Sequence, residues 1–123
     1  MSRYAIYAAE QLYGGEHEMC SYLVVEALNN EEAIDWAIQE SRDIIDSYEC
    51  IGDGLEEDVS YYYDKEENLE EFEKALEERI QDNLEWAVWK INEEKANKYD
   101  TQTLGEMIYN NPNDFIEDYC INL

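Results

Sequence analysis

NLEEFEKALEERIQDNLEWAVWKINEEK, residues Asn68 to Lys95, is the longest run of this chain that keeps one hydrophobic period. At 100° per residue, Leu69, Phe72, Leu76, Ile80, Leu84, Ala87 and Ile91 fall within a sector of about 120°, the apolar stripe of a helix packed on a core. The spacing predicts one long helix. Its opposite side carries Glu67, Glu70, Glu71, Glu77, Glu78, Asp82 and Glu85, with Lys74 as the cation among them. One face is core and the other is a rail of carboxylates. Glu73 projects toward the edge of the stripe and is expected to reach out to water, while Trp86 and Trp89 lie on the flank between the two faces.

The rail gains interest from the total charge. The 123 residues include 32 acids against 8 Lys plus Arg, a net charge of −24, yet 45% of the chain is hydrophobic and 13% aromatic. Disordered acidic tails lack such apolar content, so the composition predicts one folded acidic domain over residues 1–123. Self-repulsion at this charge is destabilising. Solubility, salt adaptation or a basic partner would each account for it. Salt-adapted chains favour Asp over Asn and Tyr, whereas this one has 11 Tyr, 10 Asn and more Glu than Asp. Direct nucleic-acid binding needs the cations this chain lacks, which leaves a basic protein surface as the expected partner. With no apolar run long enough to span a membrane and no secretory leader in the sequence, a cytoplasmic setting is expected. The odd, widely spaced Cys20, Cys50 and Cys120 are expected as unbridged thiols.

Toward the N-terminus, Arg3 to Ala9 alternates as a strand, Gln11 to Glu18 breaks the alternation at Gly14-Gly15, and Cys20 to Ala27 resumes it, so an antiparallel hairpin is predicted. Asn29-Asn30-Glu31-Glu32 starts a helix that should run to about Tyr48 on Ala33, Ala37, Ile38, Ile44 and Ile45, with Ser41 small enough to bring it close to the sheet. Trp36 lies off that stripe, either at the core margin or open to a partner. The two glycines of CIGDGL, Cys50 to Leu55, predict a turn, and VSYYYD, Val59 to Asp64, predicts a third strand. Beyond the long helix, Lys95 and Lys98 suit a helix C-terminus. Thr103 with Glu106 reads as a capping box for a short helix, and Asn111-Pro112 starts another that ends near Tyr119. The expected fold is α+β: a three-stranded, mostly antiparallel sheet, the N-terminal hairpin plus a third strand, covered on one face by two main helices and followed by short C-terminal helices. A fourth strand is open at Leu12 or near the C-terminus.

Catalytic and metal chemistry find little support in the sequence. His17 is the single histidine; with Glu16, Glu18 and Cys20 nearby it could approach a metal, but no CxxC or HExxH spacing is present, and a plain loop residue is the simpler reading. A Cys20/His17 dyad would lack an orienting third group. Gly14-Gly15 belongs to no phosphate-loop pattern, and Asp53 to Asp58 lacks calcium-loop spacing. The chain is read as non-enzymatic and without a cofactor or metal.

What the sequence offers instead is acid in register. Between Glu56 and Glu85 lie 13 acids and three cations, a net −10 within 30 residues. Carboxylates at i and i+4 on a helix stand about 6 Å apart along its axis, a repeat comparable with that of phosphates along a nucleic-acid strand. Glu56, Glu57, Asp58, Glu67, Glu70, Glu71, Glu78, Asp82, Glu85 and the flanking Trp89 are the expected partner-binding residues. In its small size, its charge and its rail, the chain resembles phage-encoded acidic DNA-mimic inhibitors, the anti-CRISPR and anti-restriction proteins. The resemblance implies a non-enzymatic inhibitor acting in the bacterial cytoplasm, which occupies the DNA-binding or PAM-reading channel of a CRISPR RNA-guided nuclease or a restriction enzyme. The reading from composition alone is an acidic structural or adaptor domain whose charge keeps it soluble.

Overall fold

In a computed structural model describing residues 1–11 and 20–123, the N-terminal alternation forms strand β1 (Ser2–Glu10), which lies inside the sheet with a neighbour on each side. β2 (Ser21–Ala27) pairs with it antiparallel, Ala5 opposite Val24 and Tyr7 opposite Tyr22, as the predicted hairpin requires. The Gly14-Gly15 turn, the His17 loop and Leu12 lie outside the described residues. The other neighbour of β1 is β3 (Leu84–Ile91), also antiparallel, and β4 (Cys120–Ile121) pairs with the end of β3 near the C-terminus. The sheet thus has four strands in the order β2-β1-β3-β4, and the class is α+β.

The third strand is therefore not where the sequence pattern places it. Residues 84–91, expected as the end of the long helix, are strand, and the helix stops at Asn83. Leu84, Ala87 and Ile91 fit a helical stripe, but LEWAVWKI also alternates, and its Trp, Val and Ile residues suit a pleated, half-buried surface. As a strand it sends Val88 to the face of Tyr4, and Trp89 with Ile91 to the face of Ala5, so both sides find apolar cover. Pairing with β1 overrides the helical period.

The converse correction falls on residues 49–60. Cys50 to Leu55 does not turn and Val59 does not begin a strand, because both belong to helix α2 (Glu49–Ser60). Ile51, Leu55 and Val59 recur every four residues and are all buried. Burying three such side chains gains about 1.5–3 kcal/mol each, against about 0.5–1 kcal/mol lost for each helical glycine. The apolar stripe wins. Tyr61, Tyr62 and Tyr63 then follow the helix as an exposed connection.

Helices cover both faces of the sheet, where cover on one face is expected. On the side of Tyr4, α1 (Asn30–Ser47) lies across β1 and β3, started by the Asn29 side chain, which accepts from the Glu32 amide at 2.9 Å. Ile45, Ile51 and Leu55 bind α1 to α2, and Leu76 and Ile80 bring in α3 (Leu69–Asp82). On the side of Ala5 lie α4 (Glu93–Ala96), α5 (Thr101–Asn110) and α6 (Pro112–Tyr119), whose Leu104, Ile108 and Phe115 close a second core with Ile91. Asn111 caps α6 and Pro112 opens it, as the sequence predicts. α5 starts two residues before the predicted Thr103 box, with Asp100 as its cap accepting from the Thr103 amide at 2.7 Å.

Ser41 explains how α1 comes so close to the sheet. Its fully buried hydroxyl donates to the Ala9 carbonyl and accepts from the Glu85 amide at 3.1 Å, bridging β1 and β3. Ser41→Ala would leave a buried carbonyl and amide without this partner, and we expect it to cost about 1–3 kcal/mol. Urea unfolding at neutral pH measures this; a loss within experimental error would show that water or a ladder bond replaces the hydroxyl.

A candidate acidic interface on α2 and α3

The carboxylates gather on one helical layer. Residues 30–82, which form α1, α2, α3 and their connections, hold 20 acids against four cations, a net −16. Residues 92–119, which form the layer on the other face, hold seven acids against two cations, a net −5. Charge per residue is higher on the first layer. Within it, α3 turns Phe72 into the core with Leu76 and Ile80 beside it, leaving Glu70, Glu71 and Glu78 on its outer side with Lys74. Glu57, Asp58 and Glu67 are exposed on α2 and on the connection to α3, and Glu56 is half-buried.

With Asp82, exposed at the end of α3, these make eight acids on one layer, but the two remaining predicted site residues lie elsewhere. Glu85 lies on β3, opposite Ala9, and turns to the face of Tyr7 and Tyr22. Burial, helped by the Glu85 charge, pushes the Tyr7 hydroxyl up to about 12 and raises that of Tyr22. Trp89 packs against the second core beside Ala5 and Ile91 rather than flanking the rail. The rail is thus four turns of α3 and its approach, shorter than the sequence suggests.

The tyrosines that follow α2 join the acids. Tyr61 and Tyr62 are 76% and 74% exposed. Tyr62 and Tyr63 border a hollow of about 180 Å³ with Glu78, Arg79 and Asp82. The connection is ordered locally by Asp64, whose side chain accepts from the amides of Glu66 at 2.8 Å and Glu67 at 3.0 Å. Sequence alternation hid these residues in a strand. Three consecutive tyrosines could have signalled exposure, because each hydroxyl would need its own hydrogen-bond partner if buried.

Two arginines serve the fold instead of neutralising the surface. Arg42 on α1 holds Glu77 of α3 through contacts of 2.5 and 2.6 Å. Arg3 on β1 holds Glu93 at 2.8 and 2.7 Å and donates to the carbonyls of Tyr99 and Ala96, which docks α4 on the sheet. At the end of α4 this Arg3 contact adds to Lys95, which lies in the last turn as the sequence predicts. Most of the other acids on the described helices are exposed to solvent.

Nucleophiles and metal ligands do not converge among the described residues. Burial pushes the Cys120 thiol up to about 12 and also raises that of Cys20, which disfavours the reactive thiolate. The three cysteines form no disulfide. No cluster of three metal-ligating side chains occurs among the described residues, and no described helix is long and apolar enough to cross a membrane. Comparison with family models, curated proteins and solved structures finds no match.

Glu77 separates structural from displayed acid. The Arg42 contact, then that of Gln81, lowers its carboxyl from 4.5 to about 2. Because the folded value lies below the unfolded one, the pair stabilises the fold above about pH 4.5 and this contribution fades as pH falls toward 2. The Glu77 side chain is 48% exposed, so solvent screening limits the gain to less than about 1 kcal/mol. We expect Glu77→Gln to lower stability by that amount at pH 7 and to match the unmodified protein near pH 2, as read from denaturant midpoints across pH. A deficit independent of pH would assign Glu77 a packing role instead.

Proposed function

We propose that this chain is a non-enzymatic inhibitor that docks the α2–α3 layer on a basic, nucleic-acid-binding surface of a bacterial defence protein, taking the place of DNA. A CRISPR RNA-guided nuclease is the preferred target and a restriction enzyme the next, with the inhibitor encoded by a phage and acting in the host cytoplasm. The observation that carries the reading is the pairing of an outward carboxylate row, Glu70, Glu71 and Glu78, with exposed Tyr61 and Tyr62 on the more acidic layer. Carboxylates can meet the arginines and lysines that otherwise hold phosphates. Tyrosines supply rigid contact area at low entropic cost, and aromatic residues dominate interface energetics. An acidic row without aromatic neighbours would attract a basic surface but give it little to pack against.

The test is displacement of labelled DNA from a candidate nuclease. Glu67, Glu70, Glu71 and Glu78 changed together to Gln should weaken inhibition by more than about 100-fold, since charge pairs partly desolvated at an interface are worth a few kcal/mol each. Glu94, Glu106 and Glu117 changed to Gln on the opposite layer should change it by less than about threefold, as remote charges are screened. Tyr61→Ala with Tyr62→Ala should also weaken inhibition by about tenfold or more while leaving the melting temperature unchanged. Equal losses from the two Gln sets would mean that net charge alone acts. No displacement from any DNA-binding defence enzyme would return the chain to an adaptor role.

A further inference from the structure

The sheet ends on β2, and the outer edge of that strand opens onto a groove. In an antiparallel strand alternate residues turn their amide and carbonyl groups away from the partner strand, and among the described residues none hydrogen-bonds to the outer edge of residues 21–27. Natural proteins usually blunt an edge of this length with charge, proline or cover. Here SYLVVEA carries one charge and no proline, and Tyr22, Leu23, Val24 and Val25 are all half-buried. β3 also has an outer edge, which β4 pairs only at Lys90 and Ile91.

The groove of about 710 Å³ lies between β2 and α5, with Tyr22 and Val24 on one wall and Gly105 and Tyr109 on the other. Gly105 sits in the middle of the ten-residue α5, where glycine costs about 0.5–1 kcal/mol relative to alanine. Beyond its own stretch of helix, a Cβ there would meet none of the described residues within 4 Å. Internal packing therefore does not call for glycine. Gly52 has the same open surroundings, but Gly105 is the one that lines an apolar groove beside the outer edge of β2. Tyr109, at the end of the groove, is 75% exposed.

Charge selects the occupant. Two copies joined through β2 would bring together two bodies of −24 each, with Glu26 and Glu106 near the junction. A cationic segment would instead find those two carboxylates beside the strand. We propose that the outer edge of β2 and the groove over Gly105 receive an extended segment of a partner protein, which adds as a fifth strand. It seats one large apolar side chain over Gly105 and sets lysine or arginine against Glu26 and Glu106. Backbone pairing supplies the affinity of such strand addition and the groove its selectivity. This surface is on the opposite face from the α2–α3 carboxylates, and the inference stands independently of the inhibitor reading.

The probe is a synthetic peptide of alternating valine and threonine, with a central tryptophan and two lysines at each end. Binding should slow amide exchange in residues 21–27, and a copy with two central prolines, which cannot pair, should not. Gly105→Trp, which fills the groove, should weaken binding by about tenfold or more. Gly105→Ala should melt higher yet weaken binding, by less than Gly105→Trp does, separating helix propensity from groove filling. The inference is overturned by any of three results: no protection at β2 up to about 1 mM peptide, equal binding by Gly105→Trp, or protection on α2 and α3 instead. A concentration-dependent dimer lost in Gly105→Trp would make a second copy the occupant and also overturn it.

Discussion

β1 has to be enclosed on both edges and both faces, and the rest of the fold follows from that enclosure. Tyr4, Ala5, Ile6, Ala8, Ala9 and Glu10 are all buried. A strand with such residues on both sides cannot face water on either. Alanines at positions 5, 8 and 9 let helices approach from both sides, and the Ser41 hydroxyl reaches the Ala9 carbonyl. The hairpin supplies one edge. The other edge needs a second apolar, β-prone segment, and LEWAVWKI meets that need better as a strand than as the last turns of a helix. Placing β3 there ends α3 at Asn83 and carries the C-terminal helices to the face of Ala5.

Much of this was legible locally, and what was not depended on pairing. Strands β1 and β2, helix α1 with its Asn29 cap, and the Asn111-Pro112 start of α6 come from residues within a few positions of one another. Leu84, Ala87 and Ile91 satisfy both a helical and an alternating period, and only contact with Tyr4 to Glu10, more than 70 residues away, decides between them. Val59 was ambiguous in the same way, as the third buried position of α2 or the first of a strand. In the candidate site, the α3 acids were readable because their helix is real. Glu85 and Trp89 were misplaced because theirs is not, and Tyr61 and Tyr62 were hidden by the strand assigned to them.

The arginine contacts show how a chain with so few cations uses them. Arg3 and Arg42 each tie a helix to the body of the protein through a two-point contact with a glutamate. Arginine's fixed fork suits that task better than lysine's single point of charge. Spending these cations on docking leaves the outer row of α3 with Lys74 and Arg79 as its neighbours of opposite sign. The acidity of the surface is therefore increased by the same contacts that hold α3 and α4 in place.

Such a surface couples stability to binding through one electrostatic term. The net charge of −24 sets up self-repulsion, and on α3 Glu78 and Asp82, four residues apart, add a like-charge pair that is mildly destabilising. Mobile cations screen that repulsion, so added salt favours the free fold. A basic partner relieves it as well, with the attraction between the two surfaces added, and salt weakens that attraction. In the proposed complex, salt therefore acts with opposite signs on the free protein and on its association. A neutral helix of the same shape would show neither response, which makes the α3 carboxylates an electrostatic cost to the isolated fold and a gain at a basic surface.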